Sequence, residues 1–204
     1  MNDIRDKVVL ITGAGKGCGR ILAAALAERG AYVAANDISP VNVDEVVNEI
    51  IKKGGRAKAY IEDVAKKVGA QLIIKQVEDD FGRIDILINH AAVEPRVPLL
   101  DMDEWDWHRV LDVNLTGTFL MTQSVGRVMR AQGRGIIVNL ITEVVLDESK
   151  EAAFAASMDG LKGFTRQAAR ELGPYGIHVH ALQNDRDQIV EKVFALLAER
   201  SEEL

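Results

Sequence analysis

Short apolar runs alternate with longer amphipathic segments along the whole chain. A continuous apolar run predicts a strand buried on both faces, and six occur, at Lys7–Thr12, Ala31–Asp37, Arg56–Ile61, Ile84–Asn89, Gly135–Leu140 and Ile177–Leu182. The intervening apolar residues recur at helical spacing and predict helices at Arg20–Arg29, Val41–Lys53, Val64–Phe81, Asp103–Ala131, Ser149–Leu172 and Asp187–Arg200. This alternation predicts an α/β fold, a doubly wound parallel sheet of the Rossmann type with helices on both faces.

Composition narrows the class of protein. The chain has 204 residues, of which 48% are hydrophobic, and it carries a net charge of −6 with one cysteine. These values predict a single globular domain over residues 1–204 and argue against disorder, a disulfide scaffold and a nucleic-acid partner. The longest apolar runs are too short to cross a bilayer, and Met1–Lys7 is polar and charged. We therefore expect a cytoplasmic protein with no membrane segment.

A glycine-rich segment follows the first predicted strand and opens the first helix. It reads Thr12, Gly13, Ala14, Gly15, Lys16, Gly17, Cys18, Gly19. Glycines in such a loop permit the tight turn, let the backbone approach a pyrophosphate and allow close helix packing, while the helix N-terminus supplies amide donors. The segment therefore predicts a dinucleotide site. The alternative is a glycine loop that serves only as a tight connection.

Two charged residues bear on which dinucleotide binds. Asp37 ends the second predicted strand, 18 residues after Gly19, where a carboxylate accepts hydrogen bonds from the adenosine ribose and favours NAD. Lys16 favours NADP, because a cation in the loop can pair with the 2′-phosphate. A carboxylate repels that phosphate, so we predict NAD, with NADP less favoured.

Cys18 has two interpretations. A thiol at a helix N-terminus can have a lowered pKa and be sensitive to oxidation. We favour the alternative, in which Cys18 is a small apolar residue turned under the loop.

Several motifs together resemble the short-chain dehydrogenase/reductase family, and the resemblance covers nearly the whole chain. The glycine segment matches the family's TGxxxGxG, Asp63-Val64 matches the pair that contacts adenine, and Asn89-His90-Ala91-Ala92 stands where the family has NNAG. The resemblance implies an NAD(P)-dependent oxidoreductase acting on an alcohol or carbonyl. The cofactor-binding residues that it implies are Gly13, Gly15, Lys16, Gly17, Cys18, Gly19, Asp37, Ile38, Asp63, Val64, Asn89 and Ala91.

The chain departs from this family where the chemistry is expected. The family's YxxxK motif corresponds here to the segment from Phe154 to Met158. Phe154 has no hydroxyl and cannot transfer a proton, and Met158 can neither tune a phenol nor donate to a ribose. Asn114 matches the family's relay asparagine, and Thr142 matches its serine. The interval from Thr142 to Phe154 is 12 residues, one shorter than the family's, so Asn114 and Thr142 are predicted to be catalytic remnants.

Histidines offer another route to acid/base chemistry. His90 replaces a family asparagine beside the expected cofactor, and the interpretation that we favour is a polar residue satisfied at a strand end. His178 and His180 share one face of a predicted strand. Two histidines without a third ligand make a poor metal site, so we predict no metal.

The region after the sixth predicted strand also differs from the family. The family has a Pro-Gly turn, a mobile substrate-binding segment, a further helix and a last strand. Here Gln183-Asn184-Asp185 leads almost directly into a helical segment. We therefore expect the substrate lobe and the last strand to be missing, which leaves the sixth strand as an open edge.

These observations support several hypotheses of function. The leading one is an inactive family member that is a partner or regulatory subunit of an NAD-dependent oxidoreductase. It would form a homo-oligomer, or a hetero-oligomer with an active homologue, through helices 103–131 and 149–172. The alternatives are an NAD(H)-binding sensor and an active oxidoreductase with an unconventional acid, such as His90 or Thr142 with water. A fourth hypothesis is a degraded or engineered chain, in which the loss of the catalytic pair and the substrate lobe has no functional meaning.

Overall fold

Six parallel strands form one sheet in the computed structural model, which describes residues 4–143 and 151–199. The strand order is β3-β2-β1-β4-β5-β6. The strands are β1 Val8–Thr12, β2 Tyr32–Asp37, β3 Arg56–Ile61, β4 Ile86–Asn89, β5 Gly135–Ile141 and β6 Ile177–Gln183. Each lies within two residues of its predicted bounds, and the predicted doubly wound α/β sheet is confirmed.

Seven α-helices flank the sheet. They are α1 Gly17–Glu28, α2 Pro40–Lys52, α3 Lys67–Phe81, α4 Glu104–Leu111, α5 Thr118–Gln132, α6 Ala152–Leu172 and α7 Ile189–Glu199. α1, α2 and α7 contribute to the apolar cluster on one face of the sheet, and α3, α5 and α6 to the cluster on the other. All five residues of β1 are buried, as expected of a strand covered on both faces.

Three predicted helices differ from those observed. The first begins at Gly17, three residues before its predicted start at Arg20. The single helix predicted over Asp103–Ala131 consists of α4 and α5 joined by a wide π-helical turn over Asp112–Gly117. The helix predicted from Val64 begins at Lys67, because the Asp63 carboxylate accepts a hydrogen bond from the Ala65 amide at 2.9 Å and holds a turn there. π-turns are frequent at functional sites, and this one contains Asn114.

The strand order reverses beside β1. β1 pairs with β2 on one side and with β4 on the other, so the chain crosses to opposite halves of the sheet from this strand. Ligands of doubly wound sheets bind at the carboxyl ends of the strands at such a reversal. The topology thus points to the edge where Thr12, Asp37 and Asn89 end their strands.

β6 forms one edge of the sheet among the described residues. The Asn184 amide donates to the Ile141 carbonyl at 2.8 Å, and α7 begins only at Ile189. The direct connection expected from the sequence is therefore present. In residues 4–143 and 151–199, no helix has the length and apolar character needed to cross a membrane.

Candidate functional site

A cleft of about 590 Å³ lies at the carboxyl edge of the sheet. The glycine loop and the ends of β2, β3 and β4 form its walls, with α4 opposite. It brings together seven of the residues predicted to bind a cofactor, namely Gly13, Lys16, Asp37, Ile38, Asp63, Val64 and Ala91. Residues up to 78 positions apart in the sequence therefore share one site.

The glycines of the loop are required by its geometry. Gly13 has a φ of +64°, and a Cβ there would lie 2.8 Å from the Ala91 Cα. A Cβ on Gly19 would lie 2.4 Å from the Gly13 carbonyl oxygen. Any side chain at these positions would displace backbone, so the loop is built for close approach.

The N-terminus of α1 suits an anion. The helix begins at Gly17, and the N-cap residue Lys16 makes no side-chain capping bond. The first amides of a helix have no partner within the helix, and the first turn of α1 contains no acidic residue. Amide donors at this end are therefore suited to a phosphate group.

Asp37 is held at the outer end of the loop. Its Oδ2 accepts from the Gly15 amide at 3.0 Å, and its Oδ1 accepts from the Ser39 amide at 2.9 Å. A Cβ on Gly15 would lie 2.7 Å from that Oδ2. The missing side chain of Gly15 thus lets the carboxylate reach the loop, on the wall of the cleft.

Asn89 lies outside the lining of the cleft, unlike the other predicted residue of its motif, Ala91. Its Nδ2 donates to the Asn139 Oδ1 at 2.9 Å and to the Thr122 Oγ1 at 3.3 Å. These bonds connect β4 to β5 and α5. Asn89 therefore supports the floor of the site by fixing neighbouring elements.

The His90 side chain is anchored beneath the glycine loop. Its Nδ1 lies 3.0 Å from the Gly13 carbonyl oxygen. Burial lowers the pKa of His90 below its ordinary value, partly opposed by that hydrogen bond. The interpretation of His90 as a polar residue satisfied at a strand end is confirmed for Nδ1.

Cys18 is buried, with 6% of its surface exposed, in the apolar cluster between α1 and the sheet. Burial raises the pKa of its thiol, which keeps the sulfur protonated and unreactive. The interpretation of Cys18 as a small apolar residue is confirmed. Its predicted contribution to a cofactor site is limited to its backbone.

Phe154 and Met158 occupy the positions of the catalytic pair expected from the resemblance. Both face inward from α6, with 4% and 2% of their surfaces exposed. They pack in an apolar cluster with four other buried residues, Val110, Ile141, Ala153 and Leu161. Apolar side chains therefore surround the two positions where the resemblance implies a tyrosine and a lysine.

Asn114 is fully engaged in structural hydrogen bonds. Its Oδ1 accepts from the Val93 amide at 2.8 Å, and its Nδ2 donates to the Val93 carbonyl at 3.0 Å and to the Ser157 Oγ at 3.0 Å. The predicted relay asparagine therefore joins the π-turn to α6. The sequence did not predict a role for Ser157. Its place inside the segment from Phe154 to Met158 is the feature that could have drawn attention to it.

Thr142 lies just after β5 and beside β6, and its Oγ1 accepts from the Asn184 Nδ2 at 3.2 Å. Residues 144–150 lie outside the described residues, and they include the first two residues of the helix predicted from Ser149. The register between Thr142 and Phe154 thus stays a prediction. In the described ranges, no three His, Cys, Asp or Glu side chains gather as metal ligands.

One wall of the cleft was not predicted. The cleft-facing residues of α4 and the π-turn include Trp105, Arg109 and Asp112. The Arg109 guanidinium lies 5.2 Å from the centre of the Trp105 ring. Trp105, Arg109 and Asp112 are spaced four and three residues apart, which places them on one helical face. This spacing could have indicated a shared surface from the sequence.

The strand order and the glycine loop after β1 define an α/β fold of the Rossmann type. A family model described as short chain dehydrogenase matches residues 7–184. The chain belongs to the short-chain dehydrogenase/reductase family, whose members bind NAD(P).

Relatives and solved structures agree with this assignment. The chain is 38% identical to hydroxy(phenyl)methylsuccinyl-CoA dehydrogenase subunit BbsD of Thauera aromatica, over 88% of this chain and 72% of that protein. It is 34% identical to an NAD⁺-bound xylitol dehydrogenase, with a TM-score of 0.84 over 88% of this chain and 70% of that one. An NADP complex of a metagenomic short-chain oxidoreductase superposes with a TM-score of 0.89 at 28% identity. The match covers 96% of this chain and 91% of that one.

Proposed function

We propose that this chain is a catalytically inactive short-chain dehydrogenase/reductase that binds NAD and is a partner or regulatory subunit of an active oxidoreductase. The observation that carries the proposal is the burial of Phe154 and Met158 in an apolar cluster. Hydride transfer between an alcohol and a nicotinamide needs a group that moves the hydroxyl proton. Neither side chain can exchange a proton, and the cluster around them excludes water that would substitute.

The NAD part of the proposal is supported by the walls of the cleft. The uncapped N-terminus of α1 suits a pyrophosphate, and the Asp37 carboxylate lies on the same wall. When bound, NAD would supply a hydride acceptor. The residues suited to hold it are the loop glycines, Asp37 and the Asp63-Val64 pair.

We expect this chain to bind NAD at least about tenfold more tightly than NADP, because the 2′-phosphate would face the Asp37 carboxylate. Calorimetric titration with both nucleotides measures the ratio. Asp37→Asn removes the charge and keeps an acceptor for the Gly15 amide, so it should move the ratio towards one. Tighter binding of NADP by the unmodified chain would contradict the assignment.

The partner role is supported by α5 and α6. Phe119 on α5 is 40% exposed, and its ring meets the ring of Phe164 on α6 edge-on at 6.2 Å. A Cβ on Gly163 would have no atom within 4 Å. Aromatic area beside a small residue favours close approach of helices from a second subunit. The relative BbsD is itself named as a subunit of a dehydrogenase.

Gly163→Glu should weaken assembly at least about tenfold, because a carboxylate buried between helices would lack a partner. The open space at Gly163 means that the isolated subunit should keep its stability. Analytical ultracentrifugation measures the effect on the chain alone and mixed with an active family member from the same organism.

Gly163→Ala is the matched control for assembly, since it adds only a methyl group, and it should keep the unmodified association. If the unmodified chain stays monomeric alone and with the homologue, the partner role is wrong.

A further inference from the structure

The His90 imidazole fills a slot that three glycines leave open. A Cβ on Gly19 would lie 2.6 Å from Nδ1, and one on Gly13 would lie 3.1 Å from it. A Cβ on Gly17, the first residue of α1, would lie 3.6 Å from Nε2. The ring therefore packs against the glycines of the loop that is suited to the pyrophosphate, and His90 is one of the residues that line the cleft.

The Gly13 carbonyl fixes the tautomer of this ring. A carbonyl oxygen only accepts hydrogen bonds, so the Nδ1 at 3.0 Å carries the hydrogen. Neutral imidazole then has a lone pair at Nε2. Among the described residues Nε2 has no hydrogen-bond partner. A second proton can bind there without breaking the bond to Gly13, because both nitrogens of imidazolium are donors.

We infer that His90 contacts the pyrophosphate of the bound dinucleotide and takes up a proton from solvent at Nε2 when that group binds, which couples NAD affinity to pH. The inference rests on the proposed NAD binding and deepens it. A diphosphate brings negative charge to a ring already held by the loop. That charge favours imidazolium, whereas neutral imidazole at Nε2 would present only a lone pair to it.

The surrounding charges are consistent with a ring that is neutral without ligand. Burial is the largest influence and lowers the pKa of His90, while hydrogen bonding to the Gly13 and Thr12 backbone and, more weakly, the charge of Asp37 on β2 raise it. The other charged groups on the walls belong to the loop, to the segment after β3 and to α4 with the π-turn, namely Lys16, Glu62, Asp63, Lys66, Arg109 and Asp112. His108 on α4 is the other histidine that lines the cleft.

The direction of the pH dependence follows from linkage. Between the pKa of His90 in the free protein and its higher pKa in the complex, only the complex carries the proton. NAD affinity should therefore rise as the pH falls through this window, and it should level off below the pKa of the free protein. Each unit by which binding raises the pKa corresponds to about a tenfold gain in affinity.

Calorimetric titration with NAD tests the inference, in two buffers of different ionisation enthalpy, from about pH 5.5 to about pH 8.5, a range around the ordinary histidine pKa of about 6.5. The unmodified chain should take up a fraction of a proton, up to about one, on binding. His90→Asn carries the family's own residue, and His90→Gln keeps a longer polar side chain. Both variants should bind NAD without taking up a proton at position 90, and their NAD affinity should depend less on pH.

His108→Gln is the matched control. His108 is exposed and pairs with Glu104 at 3.3 Å on α4, and it also lines the cleft, so its replacement tests whether proton uptake belongs to the other histidine there. This variant should retain the proton uptake. Imidazole NMR of the unmodified chain, free and saturated with NAD, reads the pKa of His90 directly and does not depend on any variant folding.

The outcomes separate this inference from the proposed function. NAD binding with no proton uptake and an unchanged pKa of His90 overturns the inference alone. Uptake that persists in His90→Asn and disappears in His108→Gln also overturns it. Failure of NAD to bind at every pH overturns both the inference and the proposed cofactor.

Discussion

The purified chain saturated with NAD should oxidise alcohols about 10²–10⁴-fold more slowly than an active family member assayed beside it, the range that general acid–base catalysis contributes. Phe154 and Met158 stand where the proton-transferring pair is expected, and both are buried among apolar side chains. Asn114 is engaged with Val93 and Ser157. Since positioning and proton transfer act as a unit, their joint loss should remove most of the rate.

Initial rates of NADH formation with polyols and hydroxyacyl thioesters, substrate classes taken from the names of relatives, measure this effect. Phe154→Tyr combined with Met158→Lys restores the side chains of the pair. We expect this double variant to stay within about tenfold of the unmodified chain, because catalytic groups also need precise placement. The interval from Thr142 to Phe154 is one residue shorter than the family's, and β6 passes directly to α7.

Met158→Lys also places an ammonium at a position with 2% exposure, so circular dichroism must show that the variant is folded. Turnover by the unmodified chain at the rate of an active homologue would overturn the proposed inactivity. If that turnover disappeared in His90→Asn, the chain would instead be an active oxidoreductase that uses His90 as an unconventional acid.

Gly19→Ala should weaken NAD binding at least about tenfold and lower the free energy of unfolding by about 1–3 kcal/mol, the usual cost of overpacking. The added methyl would lie 2.4 Å from the Gly13 carbonyl oxygen and 2.6 Å from the His90 Nδ1. Relief requires the loop or the first turn of α1 to move, and both form the anion-binding end of the cleft. Urea unfolding and calorimetry with NAD measure the two effects.

Gly163→Ala is the control, because it adds the same methyl where no atom lies within 4 Å. Within a helix this change should stabilise the chain by about 0.5–1 kcal/mol and leave NAD affinity unchanged. If Gly19→Ala bound NAD as tightly as the unmodified chain, the glycine loop would not form the cofactor site. The loop would then be the tight connection that the sequence allows as an alternative.

The strands could be predicted from the sequence because their signal is local. Most are apolar runs between polar segments, whereas β3 and β6 alternate polar and apolar residues. All six are observed within two residues of their predicted ends. The glycine loop could also be predicted from the sequence, since a turn of this kind needs residues without a Cβ at fixed intervals. These features depend on neighbours in the chain, which a sequence displays directly.

Helix boundaries were harder where a distant or polar contact decides them. The π-turn at Asp112–Gly117 interrupts an apolar pattern that reads as one helix. Its Asn114 bonds to Ser157, 43 residues away. Similarly, Asn89 reads as a cofactor residue by position, yet its amide bonds to β5 and α5. Such partners are chosen when the elements pack, so no local pattern reveals them.

The sequence by itself determined the fold class and the position of the glycine loop, and it predicted that Phe154 and Met158 stand in place of a proton-transferring pair, because each of these depends on residue identity and spacing. Only the tertiary structure decided what surrounds those residues. It placed Phe154 and Met158 in an apolar cluster, and it placed the His90 ring against the Gly13 carbonyl, 77 residues away. Burial and long-range hydrogen bonds arise from the packing of whole elements, and they set the protonation state and the chemistry of the side chains involved.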